Sequence, residues 1–420
     1  MPYAIAVIGS GMAGLAAAHG CRQNGHTVTV FEAQDSHGMD AHSMNVDGGI
    51  VDVPLRVMSS ASWPNMLALA RDVGVDTFDV KVDISCSWLD QETWLRSGHL
   101  PVLDWPFLGS WRYLNKRALV IAQGFWQLVR VKQTLQRTQS RATLDQVLEE
   151  YPFDPVFWRG LVLPILTTIC TCDEEHLLAW PAIQLLEILD SIARSSSLHR
   201  LKGGTSALVN RLAEDLPLYA GSPVARVEEQ PGGEAMEVYN GRGEGGVFDR
   251  VIVATQANQL GFLEDERFAQ ERQILGNIHF DSGTLWVHRD QRFMPGNRRD
   301  WTALNFQMDK QLQKPMFTVW MNEVEPTLTG TAPLFQTWNP LFEPDPGQVL
   351  ARVPLQRAVV HSGTQRVHEH LEQWHSEPGR KVFFCGSWAH EGVPLLESAV
   401  RSAKAVVGAI ESGRGHKLAS

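Results

Sequence analysis

The chain has little tyrosine, little cysteine and no long apolar run. Five tyrosines stand against 14 tryptophans, so its aromatic content lies mainly in large apolar side chains, which suit a broad interior or a pocket. The five cysteines (21, 86, 170, 172 and 385) form neither a zinc spacing nor an even disulfide framework. Cys170-Thr171-Cys172 lacks the spacer of a redox or metal pair, so these read as reduced, mostly buried thiols and no metal site is expected. A reducing cytoplasm is the default location. No apolar run reaches the roughly 18 residues of a membrane-spanning helix. Basic charge is also short: the net charge of -10 and pI of about 5.8 argue against a nucleic-acid surface. The apolar N-terminus has no basic start, and its patterned glycines set it apart from a secretory leader.

A chain of 420 residues, 44% hydrophobic and 20% charged, is long enough for two globular domains. In "YAIAVIGSGMAGLAAAHGCRQNGHTVTVFEA" a short strand over residues 3–8 runs into Gly9-x-Gly11-x-x-Gly14. A helix is expected from Met12 to about Asn24, then a strand from Thr27 to Phe31 that ends at Glu32. Each glycine has a mechanical reason: a tight turn, close approach of backbone to a pyrophosphate, and close packing of helix on strand. The start of the helix, Met12 and Ala13, presents free N–H groups to the phosphates. Glu32, followed by Ala33, is placed to accept from ribose hydroxyls. This unit binds a dinucleotide but does not separate NAD from FAD.

The far end separates them. "KVFFCGSWAHEGVPLLESAVRSAKAVVGAIESG" reads as a buried strand from Val382 to Cys385, a glycine, a loop, and a helix from about Leu396. It resembles the closing segment of the FAD-dependent amine oxidase superfamily, where a strand ends at glycine and a later helix points its N-terminus at the flavin pyrimidine ring. The resemblance matches Gly386 to that glycine and puts Glu397, Ser398 and Ala399 at the helix start. "LKGGTSALVNRLAEDLPLYAGSPVARVEE" and "GVFDRVIVATQ" are similar to a third segment. There Gly203-Gly204 begin a helix, Val224 enters a strand near the adenine, and Ala254 and Thr255 return under the cofactor. "SWPNMLALARDVGV", "FDRVIVATQANQLGFLED", "LWVHRDQRFMPGNRRDWTALNF" and "FFCGSWAHEG" further resemble a subgroup of predicted NAD/FAD-binding, amine oxidase-like oxidoreductases.

The resemblance implies an α/β fold: a Rossmann-like FAD-binding domain of three discontinuous segments (1–55, 200–265 and 378–420) and an α+β substrate domain (56–199 and 266–377). One departure stands out. Where the superfamily has Gly-Gly-Arg-x-x-Ser/Thr, this chain keeps Gly38 and Ser43 but has Met39-Asp40. An aspartate aimed at pyrophosphate would repel it, so the loop is expected to be reshaped while the remaining glycines and helix dipole still hold FAD.

In the first insert, "WPNMLALARDVG", "SWRYLNKRALVIAQGFWQLVRVKQTLQR" and "PAIQLLEILDSIARS" carry helical apolar spacing. The second, with "GTLWVHRD", "WTALNFQM" and "MFTVWMNEV", reads as strands. A sheet roofed by helices would enclose an apolar pocket, with Trp88, Trp94, Trp286, Trp301, Trp320 and Trp338 as expected walls. Arg56, after "VDVPL", follows the strand that in the resembled superfamily passes beside the flavin ring; it is a candidate for an anionic substrate group or for reduced flavin, or an ordinary surface or salt-bridged arginine. His390, in the loop before the last helix, is a candidate base or proton relay, or a structural histidine. The helical stretch near 105–137, with interleaved aromatic and basic residues, could touch lipid. The expected activity is hydride transfer to flavin from a largely apolar small molecule, at a C–N or C–C bond. Two alternatives stay open: a flavin-dependent desaturase or isomerase of a lipid or isoprenoid, and a non-catalytic flavin-binding protein.

Overall fold

The computed structural model describes residues 2–38, 43–98, 111–113, 115–170, 172–194, 198–361 and 363–418. The strand Ala4–Ile8 pairs in parallel with Thr27–Phe31 on one side and Arg250–Val253 on the other. Leu218–Tyr219 and Val382–Phe384 complete this five-stranded parallel sheet at its two edges. Its strands are nearly continuous apolar runs because helices cover its faces. Met12–Gln23 and Leu396–Leu418 pack on one another across it, and Gly20 has the Val407 side chain 3.1 Å from where a Cβ would sit. A small antiparallel sheet, Val224–Glu229, Met236–Asn240 and Gly245–Phe248, covers the other side together with Thr364–Ser376.

The second large sheet has seven strands. In spatial order they are Val349–Val359, His279–His288, Phe335–Trp338, Pro315–Trp320, Leu304–Met308, Ile84–Trp88 and Thr93–Arg96. The last two correct the sequence reading, which saw the first insert as helical. "ISCSW" is too short and too evenly buried to declare a period of two, and it is recruited by parallel pairing with Leu304–Met308. The three stretches with helical spacing do form helices, at Pro64–Asp72, Lys116–Arg137 and Ala182–Arg194. Lys116–Arg137 packs its buried stripe, Ile121, Gly124, Leu128, Val131 and Leu135, into the core beneath the seven-stranded sheet. A Cβ at Gly124 would sit 2.2 Å from the Phe157 ring, so only glycine permits that approach.

The two halves are joined by a buried ion cluster. Arg200, fully buried, donates to Glu325 at 2.6 Å and to the Val324 carbonyl at 2.7 Å, and lies 3.5 Å from Asp52. Asp52 also accepts from the Thr205 N–H at 2.7 Å and the Ser43 hydroxyl at 3.2 Å. A buried charge of this kind is tolerable only when each member is paired and hydrogen-bonded.

Candidate cofactor and substrate site

The glycine turn after Ala4–Ile8 is built as close packing requires. Gly9 has a left-handed φ of +100°, and a Cβ at Gly14 would sit 2.0 Å from the Gly9 carbonyl oxygen. At Gly11, by contrast, a Cβ would meet nothing within 4 Å. This open face, where helix Met12–Gln23 presents its unpaired N–H groups, fits a pyrophosphate. Glu32 ends the second strand, buried against Ser10. One of its oxygens accepts from the Ser10 N–H at 2.9 Å and the Ser10 hydroxyl at 2.6 Å, and the other from the Gln34 N–H at 3.0 Å. The Gly38 N–H donates to the same Ser10 hydroxyl at 2.8 Å. Met39 and Asp40 lie outside the described residues, as do Ala41 and His42.

From this cradle a cavity of about 1050 Å³ runs into the second half of the molecule. Gly11, Met12, Ala13, Ala254, Thr255, Gly386 and Ala399 line its near part, with Arg56 and Leu396. Its far part is walled by Leu304, Phe306, Phe317 and Val319 from the sheet and by Ile121, Phe125, Leu161 and Ile165 from the helices. A cavity of this size with a few polar groups on an apolar wall has the character of a ligand site. The loop carrying Arg56 is held from behind by Gln336, which is buried. Its amide donates to the Asp52 carbonyl at 2.7 Å and its oxygen accepts from the Leu55 N–H at 3.0 Å.

The family pattern of flavin containing amine oxidoreductases matches residues 12–360. The chain belongs to that family. It is an FAD-dependent oxidoreductase. Cyclohexylamine oxidase from Brevibacterium oxydans IH-35A has a similar structure, with a TM-score of 0.68 and 14% identity, over 98% of this chain and 100% of that one. Putrescine oxidase bound to putrescine gives 0.67 and 14%, over 98% and 99%. A fatty acid isomerase from P. acnes that produces CLA gives 0.66 and 15%, over 96% and 98%. At these identities the likeness is one of fold. No curated protein matches the chain in sequence.

Other expected site residues fall in more varied places. Val224 is buried in the small antiparallel sheet, opposite Asn240. Ala33 is exposed beyond Glu32. Glu397 turns away from the cavity: it accepts from the N–H groups of Asn65 at 3.2 Å and Met66 at 2.8 Å, and from the Asn65 side-chain amide at 2.7 Å. It thereby caps the helix Pro64–Asp72, and the Ser398 hydroxyl donates to the Val393 carbonyl at 2.7 Å. What the helix Leu396–Leu418 can offer a flavin is therefore backbone N–H and dipole. His390 is half-buried, lies beside its neighbour's carbonyl at 3.2 Å, and is not among the lining residues. Burial holds its pKa below the ordinary histidine value.

The tryptophan expectation is largely corrected. Trp338 and Trp63 line the cavity. Trp88 and Trp94 instead stack on each other with ring centres 5.6 Å apart, and Trp301 packs against Trp320 at 5.5 Å and Phe335 at 5.6 Å. Trp320 alternates with the cavity-lining Phe317 and Val319 and so faces the other side of the sheet, while Trp88 and Trp94 pack into the core with the helices, leaving aliphatic residues and phenylalanine to make most of the pocket.

The residue that sequence reading missed is Arg357. It stands on Val349–Val359 in the same alternation as Val353 and Leu355, which pack into the core, and it opens onto the cavity. The signal was an arginine at an inward position of an alternating strand. Burial disfavours its charged form first and the Arg56 charge second, bringing it down to about 9, so it remains a cation at neutral pH. Arg56 is lowered by burial as well, with Asp52 opposing.

Proposed function

We propose that this oxidoreductase acts on a largely apolar small molecule at a C–N or C–C bond. In this reading residues 1–55, 200–265 and 378–420 form a Rossmann-like cofactor domain, and 56–199 and 266–377 the substrate domain. The observation that carries it is the continuity of one cavity from the glycine cradle to an aliphatic and phenylalanine wall. When bound, the flavin would supply the hydride acceptor. The chain's own residues bind, orient and dehydrate. Gly9, Gly11, Met12, Ala13, Gly14, Glu32, Ala33, Gly38, Val224, Ala254, Thr255, Gly386 and the start of the last helix at Glu397-Ser398-Ala399 surround the cofactor. Leu304, Phe306, Phe317 and Val319 exclude water from the reacting carbon. Arg56 faces the substrate, while His390, off the lining, is given a part only where a proton must also move.

Desaturation or isomerisation of a lipid is the second reading, favoured by the same apolar wall. Anaerobic mixing of the FAD-loaded protein with apolar amines and with unsaturated and saturated lipids tests both. Bleaching of the flavin by an apolar amine supports the first reading; bleaching by a saturated lipid with a new double bond supports desaturation, and double-bond migration without net bleaching supports isomerisation. None of these results with any class, in protein that holds flavin, sinks both.

We also infer contact with an anionic lipid surface. The charged residues of Lys116–Arg137 are all basic in a chain of net charge -10. Its outer face exposes Leu119 (63%) and Trp126 (64%), with Val129 beside them, while its inner face supplies Ile121 and Phe125 to the cavity. Such a helix matches an acidic bilayer in charge and in its apolar face. Among the described residues no helix is long and apolar enough to cross a membrane. The five cysteines are free and buried, which supports a reducing cytoplasm as the setting.

A further inference from the structure

The wall of the cavity is largely apolar, yet two guanidinium groups, Arg56 and Arg357, open into it. Arg56 donates to the Pro54 carbonyl at 2.7 Å, and its Nε is buried without a partner. Among the described residues neither Arg56 nor Arg357 makes an ion pair. Asp52, whose field reaches Arg56, is already engaged by Arg200, Thr205 and Ser43. The other charged residues on the lining are Lys81 and Asp83, and Asp83 accepts from the Ser97 hydroxyl at 3.3 Å. Cations therefore outnumber carboxylates around the cavity. The two guanidinium groups line one cavity, half-buried and within reach of each other's charge, an arrangement that is unfavourable unless an anion lies between them.

We propose that Arg56 and Arg357 together receive the carboxylate of an amphipathic acid whose apolar chain lies along Ile84, Leu95, Ile121, Phe125 and Phe306. A guanidinium offers a planar fork that matches a carboxylate in both charge and shape. An ammonium group in the same place would meet two cations, so the site selects against amines by repulsion as much as it selects acids by attraction. The inference rests on reading this cavity as the substrate site, and it narrows the substrate class from apolar to apolar and anionic.

The test uses the FAD-loaded protein with three probes of equal chain length: laurate, lauryl alcohol and dodecylamine. Binding is read by perturbation of the flavin bands and, separately, by tryptophan fluorescence. Laurate is expected to bind most tightly and dodecylamine least. Arg56→Met and Arg357→Met should each weaken laurate by about tenfold or more, the loss expected for one charged partner. They should leave lauryl alcohol unchanged, and Arg357→Lys should recover part of the laurate affinity. Both methionine variants should fold, because each removes a half-buried cation lacking a carboxylate partner, and Arg357→Met should melt no lower than the parent. Dodecylamine binding as tightly as laurate would overturn the proposal, as would laurate affinity indifferent to both substitutions. Failure of the redox reading looks different. Protein without flavin chemistry that still ranks laurate over dodecylamine by fluorescence keeps the arginine site and loses the oxidoreductase mechanism built on it.

Discussion

Ser10 gives both its backbone N–H, at 2.9 Å, and its hydroxyl, at 2.6 Å, to the same oxygen of Glu32. Because the Gly38 N–H in turn donates to that hydroxyl, the carboxylate is pinned at the end of its strand with the glycine turn on one side and the 38 loop on the other. In its proposed role as ribose acceptor, its geometry is set in advance, which lowers the ordering cost of binding.

Replacing this carboxylate should therefore act on the cofactor more than on the fold. Glu32→Ala is expected to weaken FAD about tenfold to a hundredfold, the range for hydrogen bonds to a charged group. Flavin retained through gel filtration at limiting FAD measures it. Unchanged retention would remove Glu32 from the cofactor contacts.

Glu397 gives the opposite expectation. Its carboxylate caps Pro64–Asp72 through Asn65 and Met66, so Glu397→Ala should cost about 1–2 kcal/mol of stability, as loss of a cap does. Flavin occupancy at saturating FAD should be preserved, since the cofactor would meet the backbone of this turn. Denaturant unfolding followed together with flavin absorbance separates the two. Lost flavin with unchanged stability would contradict the capping role.

Acid should weaken the fold before its carboxylates titrate. His375 accepts the Phe384 N–H at 3.0 Å through Nε2, and burial pulls its pKa from 6.5 down to about 4. Burial does the same to His288, which also falls to about 4. A histidine with a depressed folded pKa takes up a proton more readily when unfolded. Its contribution is complete above pH 6.5 and is lost as pH falls from there toward 4, on the order of 1–3 kcal/mol for each. Melting temperatures across that window should decline, and His375→Gln should flatten the decline. An equal slope in the variant would remove His375 as a contributor.

The exposed face of Lys116–Arg137 makes a prediction about location. Vesicles rich in phosphatidylserine should sediment the protein at low salt, and neutral phosphatidylcholine vesicles should do so far less. Leu119→Ser with Trp126→Ser should abolish most of the binding without lowering flavin content, since both side chains are exposed. Equal sedimentation of parent and variant would mean that this face is not the contact.

The sequence by itself determined the glycine turn, its helix and the strand that ends at Glu32. Gly9, Gly11, Gly14, Glu32 and the strand–helix order around them are local requirements, each enforced by a turn or a close approach within about thirty residues. Helices at Pro64–Asp72 and Lys116–Arg137 were legible for the same reason, because a helical period is written along the chain. Tertiary structure decided what no local pattern records. Strand Ile84–Trp88 exists because Leu304–Met308 pairs with it. Glu397, placed at a helix start by resemblance, was drawn off to cap a helix more than three hundred residues earlier in the chain. Arg357 joined Arg56 on one cavity only when two distant segments were packed around it. Pairing, capping and cavity walls depend on contacts between residues far apart in the chain, and those become definite only once the chain has closed on itself.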